Sequence, residues 1–503
     1  MERASTSRGA IAGLVAGGVA LAVGELVAGV GRTQRAPVIA VGDLVIEHVP
    51  RAVKDFAIDT FGTADKVALL VGIYAVISLA AAGLGMAAVR RAWIGVAGIG
   101  LFGAVGVYAA ARVAGAGVAE VVAPIAGAAA GAGALVLLVR PWLAEAPSED
   151  RRRFLQVAGA AIGVAVIGAS IGRFLQARVS AAASRLAVVL PRPARPAPAI
   201  PAGADLGIDG LSPFVTPNGD FYRIDVNLIV PQVPTDGWTL RVAGRVDRQL
   251  MLSYDDLLRR PMVEEDITLA CVSNEVGGRL VGTARWLGTP LLPLLEEAGI
   301  DPAVDQVVGR AVDGFTVGLP LAALRDGRPA LVAVGMNGEP LPIRHGFPAR
   351  LVVAGLYGYV SATKWLQEIE LTSFADFDPY WIRRGWAAEA PIKTASRIDT
   401  PRGLQRVAAG TVPVAGVAWA PPHGIERVEL QIDDGAWRRC ELATAVADTT
   451  WRQWQFRWED ASPGRHQLTV RATDGTGATQ TGDRAVPFPD GATGWHSLAV
   501  IVE

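Results

Sequence analysis

The sequence predicts a multi-domain chain: an α-helical membrane domain of about five spans, then an α+β domain, then an all-β sandwich of immunoglobulin type. Three observations predict it. The 503 residues are 51% hydrophobic and only 19% charged, where a soluble domain carries about 25% charged residues. The apolar excess is concentrated in the first third. From about Lys393 onward, apolar residues alternate with polar ones between turn signals.

Uncharged runs extend over Val67–Val89, Ala92–Ala111, Val121–Val139 and Phe154–Gly172, and a fifth, Gly9–Gly31, is broken only by Glu25. Such runs match the roughly 20 residues needed to cross a hydrocarbon core as a helix. In lipid the backbone must satisfy its own polar groups, so helix is the conformation expected. Gly13/Gly17, Gly127/Gly131 and Gly159/Gly163 have the spacing that lets helices approach closely. Arg3, Arg8, Arg90, Arg91, Arg140 and Arg151 to Arg153 fall on one side if the N-terminus is cytoplasmic. The longer opposite loop, about 31–66, holds Arg32, Arg35, Arg51, Lys54 and Lys66. Five spans then put everything after Gly172 on the extracytoplasmic side. Arg151-Arg152-Arg153-Phe154-Leu155 before an apolar run resembles a twin-arginine export signal; an ordinary cytoplasmic anchor of arginines explains it too.

The expected boundaries are 1–172 for the membrane domain, 173–212 for a Pro-rich linker, 213–392 for the α+β domain and 393–503 for the sandwich. Pro191 to Pro198 reads as an extended, polyproline-like spacer. In the α+β part, Ser253 caps a helix over Tyr254 to Leu258. Thr289-Pro290 opens another that Gly299 ends. Leu351 to Val353 and Ile369 to Leu371 read as strands. In the sandwich, Val428, Leu430 and Ile432 share one strand face; Trp454, Phe456 and Trp458 a second; and Leu468, Val470 and Ala472 a third.

Composition excludes several classes. Charge is balanced at 47 Lys+Arg against 48 Asp+Glu, unlike the basic face of a nucleic-acid binder. Two cysteines, Cys271 and Cys440, exclude a disulfide-stapled scaffold and a Cys-rich zinc or iron–sulfur site. Five scattered histidines leave little material for haem.

Thr268 to Gly278 is the segment most apt for chemistry: a strand-like run ends in Cys271 and is followed by Gly277-Gly278. A thiolate at a strand end suits a soft metal. By itself the pattern also fits a small buried hydrophobe. Other segments join it in order: Asp220 to Arg223; Trp238 to Leu240 with Val242 to Gly244; Trp286 to Gly288; Met336 to Pro342; His345 to Arg350; and Lys364 to Leu366. The ordered set resembles the sulfite oxidase family of molybdopterin enzymes over about residues 213–503, the sandwich resembling that family's dimerisation domain.

The resemblance implies that Cys271 is the protein ligand to molybdenum, completed by the pterin dithiolene and oxo groups. It implies that His345, Arg350 and Lys364 anchor the pterin and its phosphate, with Phe221, Tyr222, Arg223, Asn274 and Thr363 beside them. Arg223 also faces substrate by this analogy, and Cys440 matches no ligand position. Two departures bear on substrate. The family carries arginines just after its cysteine, where this chain has Glu275 and Val276. It also carries a tyrosine after Trp-x-Arg-Arg, where Trp381-Ile382-Arg383-Arg384-Gly385 leads to Trp386. An indole has no phenolic proton to lose. The expectation is therefore a membrane-anchored enzyme transferring an oxygen atom to or from a neutral S-oxide or N-oxide, with Trp386 as an apolar wall. It would use molybdenum-molybdopterin without haem, and a separate electron partner, either a redox protein or the quinone pool. A homodimer is implied by the sandwich, and no nucleic acid is expected. The rivals are a sulfite dehydrogenase, a cofactor-free membrane-displayed binding protein, and a transporter-like role for the spans.

Overall fold

The computed structural model describes residues 2–30, 36–50, 53, 56, 60–61, 65–112, 118–143, 156, 158–160, 162–163, 166–167, 170–171 and 181–503. The chain forms two compact units: residues 1–180 with 226–232, and residues 181–225 with 233–503.

The first unit is helical: α1 (Glu2–Val30), α2 (Pro37–His48), α3 (Asp65–Arg90), α4 (Ala92–Ala111) and α5 (Val118–Leu143). Four stretches, Thr6–Val30, Lys66–Arg90, Ala92–Ala111 and Glu120–Val139, are long and apolar enough to cross a membrane. The Phe154–Gly172 run is only partly described, and Arg151 to Arg153 lie outside the described residues. Glycine spacing explains the packing. A Cβ on Gly13 would strike the Ala81 carbonyl of α3, and one on Gly127 would strike the Ala20 carbonyl of α1. These helices touch backbone to backbone, as small residues permit. No neighbour lies within reach of Gly159 or Gly163 among the described residues. Helix α2 falls in a stretch read above as loop. Pro37 sits in its first turn, and Val38 and Ala40 are buried, so packing supplies what a 12-residue helix lacks alone. The helices enclose a cavity of about 710 Å³ lined by glycine and apolar residues such as Leu21, Val41, Ile73 and Phe102. That lining offers no ionisable relay of the kind ion pathways keep.

The second unit opens with α6 (Ala181–Ala187) and then the Pro-rich stretch. That stretch is extended but bound along its length. Ala194 N donates to Met262 O (2.8 Å), Glu264 N to Arg195 O (2.9 Å), and Arg195 pairs with Glu265 (2.6 Å). The strands follow as β1 (Thr239–Gly244), β2 (Leu250–Ser253), β3 (Val263–Ala270), β4 (Val281–Pro290), β5 (Gln306–Ala311), β6 (Thr316–Pro320), β7 (Ala330–Met336), β8 (Glu339–Pro340), β9 (Arg350–Val353) and β10 (Leu366–Thr372). One sheet runs β2-β1-β10-β5-β6; the other runs β3-β4-β7-β8, with β9 paired to β7. All seven residues of β7 are buried, as expected for a strand covered on both faces.

Helix α7 (Tyr254–Leu258) starts where the sequence placed it. Ser253 Oγ accepts from Asp256 N (3.1 Å), and the Asp256 carboxylate accepts from Ser253 N (3.0 Å), a reciprocal capping box. Helix α8 (Leu291–Ala298) starts later than expected. Thr289 and Pro290 continue β4, pairing with Val332 and Leu331, so ladder pairing takes the residue that read as a cap.

Beyond them come β11 (Ala395–Thr400), β12 (Arg406–Val407), β13 (Gly410–Trp419), β14 (Ile425–Ile432), β15 (Arg438–Arg439), β16 (Glu441–Leu442), β17 (Arg452–Ala461), β18 (Gly464–Asp474) and β19 (His496–Val502). They form two sheets, β11-β13-β17-β16 and β12-β19-β18-β14-β15. Val414, Trp454 and Trp458 of one sheet share a core with Val428, Leu430, Leu468 and Val470 of the other.

Candidate active site

The register of β3 on β4, Ala270 opposite Val281, leaves residues 271–280 as the loop between them. Cys271 is the first residue past β3 and is buried. The loop closes on itself: Cys271 N donates to Leu280 O (2.9 Å), Asn274 N to Cys271 O (3.0 Å), and Leu280 N to Asn274 Oδ1 (2.7 Å). Asn274, which the sequence leaves open between capping the loop and serving the site, caps the loop with its side-chain oxygen. Burial pushes the Cys271 thiol up, and hydrogen bonds from Ser273 and the nearby Lys364 charge only partly oppose it. The thiol therefore keeps its proton near pH 7.

A 3₁₀ turn, Ile343–His345, ends at Gly346 with φ 108°. A Cβ there would lie 3.0 Å from Lys364 Cβ and 3.2 Å from Arg350 Cβ, so glycine is what lets these two basic residues close on His345. His345 is buried, and its Nε2 lies 3.0 Å from Asn218 O. A carbonyl only accepts, so Nε2 carries the proton and Nδ1 is a lone pair. Burial and the Arg350 charge push His345 down to about 4. It is neutral near pH 7 and pairs with an anion only by gaining a proton.

Arg350 opens β9 and is only 5% exposed. Its Nη1 donates to His345 O (3.0 Å), its Nε donates to Leu351 O (3.3 Å), and the guanidinium sits 5.0 Å from the Trp286 ring centroid. No carboxylate pairs with it among the described residues. Burial pushes it down to about 10, against a small opposing effect of Tyr222. A buried cation without an acid is costly unless an anion is bound there.

Lys364 is differently placed. Its Nζ donates to Ile224 O (2.9 Å) and Asp225 Oδ2 (3.2 Å), and Arg223 Nε donates to the same carboxylate oxygen (2.8 Å). Asp225, which the sequence reading passed over, thus ties both cations together. Arg223 is directed along its own strip by that pair. Burial pushes Lys364 down to about 8, with Asp225 opposing.

Phe221 is buried, stacks on Tyr222 (5.3 Å between centroids) and meets His345 edge to face (5.6 Å). It is a wedge that fixes the imidazole plane. Burial, then the Cys271 charge, push the Tyr222 phenol up, so it stays a neutral hydroxyl. Tyr222 lies close enough to Cys271 and Arg350 to be affected by both, and Lys364 to affect Cys271 and His345, which groups these side chains around one candidate site. Tyr357 belongs to it as well: burial pushes it up to about 12, and the Cys271 charge contributes. Its signal in the sequence was the run Leu356-Tyr357-Gly358-Tyr359 just after β9. Thr363 is buried, and its hydroxyl has no hydrogen-bond partner among the described residues and faces Gly309 of β5. Trp386 packs in an aromatic cluster with Tyr359 (5.7 Å), Trp381 (6.2 Å) and Phe488 (5.3 Å).

One buried histidine, His345, and one half-buried histidine, His496, set a pH dependence. Burial, then the Arg397 charge, push His496 down to about 4, as burial and Arg350 do for His345. Between that value and the ordinary one of 6.5, the unfolded chain holds protons the folded chain lacks. Stability is therefore expected to fall as pH drops from about 6.5 toward about 4, by up to ~1.4 kcal/mol per pH unit for each histidine. Thermal melts followed by tryptophan fluorescence check this. His496→Asn, which keeps an acceptor for Ile398 N–H, is expected to halve the slope.

A family model described as the oxidoreductase molybdopterin binding domain matches residues 227–381. Over 149 residues, 30% of this chain and 72% of the relative, the sequence is 35% identical to the uncharacterized oxidoreductase YuiH of Bacillus subtilis. The chain belongs to the sulfite oxidase family of molybdopterin-dependent oxidoreductases. It is also 30% identical to the mitochondrial sulfite oxidase of Rattus norvegicus over 291 residues, 48% of this chain and 53% of that one. It thus spans about half the length of the curated sulfite oxidases it matches. In fold it is similar to the sulfane dehydrogenase SoxCD from Paracoccus pantotrophus, with a TM-score of 0.51 and 22% identity over 59% of this chain and 85% of that chain. The donor set fits the family's cofactor. Cys271 is a soft donor at the start of a loop, and Arg350 is a buried cation with no acidic partner among the described residues. His345, Lys364 and the Tyr222 hydroxyl stand around them.

Proposed function

We propose that this chain is a membrane-anchored molybdopterin oxidoreductase that transfers an oxygen atom to or from a small neutral S-oxide or N-oxide on the extracytoplasmic side. The observation that carries it is Arg350: a guanidinium 5% exposed, with no acidic partner among the described residues, close to Lys364 and to Tyr222, which in turn neighbours Cys271. A phosphate-bearing cofactor supplies the missing negative charge. Once bound, that cofactor supplies two-electron oxygen-atom transfer. Cys271 gives up its thiol proton and holds the metal. Arg350 and Lys364 take the phosphate, joined by His345 when it is protonated at Nδ1. Tyr222 keeps its phenolic proton and offers it as a hydrogen bond. Glu275 is exposed on the Cys271 loop and repels an oxyanion, while Trp386 presents an indole wall; both favour a neutral substrate over sulfite. Electrons go to or come from a separate redox protein or the quinone pool, and the two C-terminal sheets form an immunoglobulin-like, dimerisation-type unit.

The second reading is a sulfite dehydrogenase, favoured by the relatives' names. Purified full-length protein is expected to contain about one molybdenum and one pterin per chain, and to turn over sulfoxides or N-oxides in preference to sulfite. Sulfite as the better substrate would establish the second reading. Wild-type protein from molybdenum-replete cells that lacks both metal and pterin would sink both.

A further inference from the structure

The loop that carries Cys271 is held from outside as well as by its own hydrogen bonds. Arg397, the third residue of β11, extends a side chain only 6% exposed. Its Nη1 donates to Gly278 O (2.7 Å), its Nη2 to Ser212 Oγ (2.9 Å), and its Nε to Asp399 Oδ1 (2.5 Å). Asp399 is itself buried and accepts from Ser212 N at 3.0 Å, so the guanidinium cannot swing away cheaply. Gly278 is two hydrogen bonds from the sulfur-bearing residue: Gly278 N donates to Glu275 O (2.8 Å), inside the turn that Asn274 N closes on Cys271 O. A second contact presses on the same loop. The His496 ring of β19 lies against Gly277, whose φ is 78° and where a Cβ would collide with the imidazole. His496 is fixed in turn by Ile398 N donating to its Nδ1 (3.0 Å).

The strand leading into Cys271 is gripped as well. Thr268 N donates to Thr449 O (2.9 Å), Thr449 Oγ1 to Asp266 O (2.7 Å), and Trp451 N to Thr268 Oγ1 (2.7 Å). Both approaches to the sulfur are therefore fastened to the C-terminal sheets. A charge-assisted bond from a buried, pre-oriented guanidinium fixes a carbonyl more tightly than a neutral donor does. Residues behind a metal ligand set its orientation, and their loss commonly costs about 10- to 100-fold in affinity or activity.

We propose that Arg397 is a positioning residue for Cys271: through the Gly278 carbonyl, the C-terminal sandwich fixes the direction in which the sulfur meets the metal. The inference rests on Cys271 being the metal ligand, and its test separates the two ideas. Full-length wild type, Arg397→Met, Arg397→Lys and Asp399→Asn are compared in two ways. In cofactor-loaded protein, Arg397→Met is expected to shift the electron paramagnetic resonance spectrum of the half-reduced centre. Its kcat is expected to fall about tenfold with little change in KM, and Arg397→Lys to restore part of both. In protein from molybdenum-starved cells, alkylation of Cys271 by iodoacetamide is expected to rise about tenfold in Arg397→Met, with Cys440 as the unreactive internal reference. Asp399→Asn leaves the arginine in place but unbraced, and is expected to give the same changes in smaller measure; it decides the matter should Arg397→Met fail to fold. Unchanged spectra and unchanged alkylation in both variants overturn the inference. Faster alkylation in the variants, together with a wild type that never binds molybdenum, leaves the positioning role standing and removes the ligand role.

Discussion

Cys271→Ser is expected to leave a folded protein with turnover lowered by about three orders of magnitude, an activation cost of about 4 kcal/mol. The exchange is close to isosteric at a position 8% exposed, and the hydroxyl can keep the hydrogen bonds from Ser273 that now face the sulfur. Packing therefore gives no reason for collapse. What disappears is a polarisable ligand suited to a soft, redox-active ion. The proposed pterin anchors lie on other elements, the turn at His345, strand β9 and the segment before β10, so cofactor content is expected to persist while turnover does not. Metal analysis beside a steady-state assay separates these outcomes. Cys440→Ser is the control. That thiol is buried in the core of the C-terminal sheets and burial pushes it up, so its replacement is expected to leave turnover unchanged. Full activity in Cys271→Ser would contradict the ligand role.

Much of this architecture was legible because it follows from local rules. Uncharged runs of span length marked four helices of the first unit, α1, α3, α4 and α5, and Ser253 marked a cap that formed as a reciprocal box. The alternation at Val428/Leu430 and Leu468/Val470 marked strands whose inner residues meet across one core. What was not legible depended on distant partners. Thr289-Pro290 has the local chemistry of a helix start, yet β7 recruits it into a ladder. Pro37 to His48 is short and lay between longer runs, and only packing makes it a helix. In the site, residue types revealed the donors but not their obligations. Nothing near Lys364 in sequence announces Asp225, 139 positions away. Asn274 read equally as a loop cap or as a functional neighbour of Cys271, and only the fold shows the Leu280 N–H on its oxygen. Arg397 was invisible for the same reason: it acts through a fold contact and carries no motif of its own.

Arg350→Met is expected to separate stability from function. In the cofactor-free protein the guanidinium stays protonated at neutral pH although burial pushes it down to about 10 from 12.5. That displacement amounts to about 3 kcal/mol of disfavour toward the charged form. Methionine fills similar volume without charge and can keep contact with the Trp286 face. Against this, two acceptors, His345 O and Leu351 O, lose a donor, at about 1 kcal/mol each. The two effects nearly balance, so cofactor-free Arg350→Met is expected to melt at or slightly above the wild-type temperature. Cofactor retention should move the other way. The variant lacks a buried cation with no acid of its own among the described residues, and Lys364 is already shared with Asp225, so molybdenum and pterin content are expected to drop about 10- to 100-fold. Arg350→Lys restores charge but not the planar fork, and is expected to recover only part of that content. Melting curves of cofactor-free protein and metal-to-protein ratios of loaded protein test the two arms independently. A variant that is strongly destabilised yet keeps its molybdenum would mean that Arg350 serves the fold, and that the anion it awaits is held by other groups.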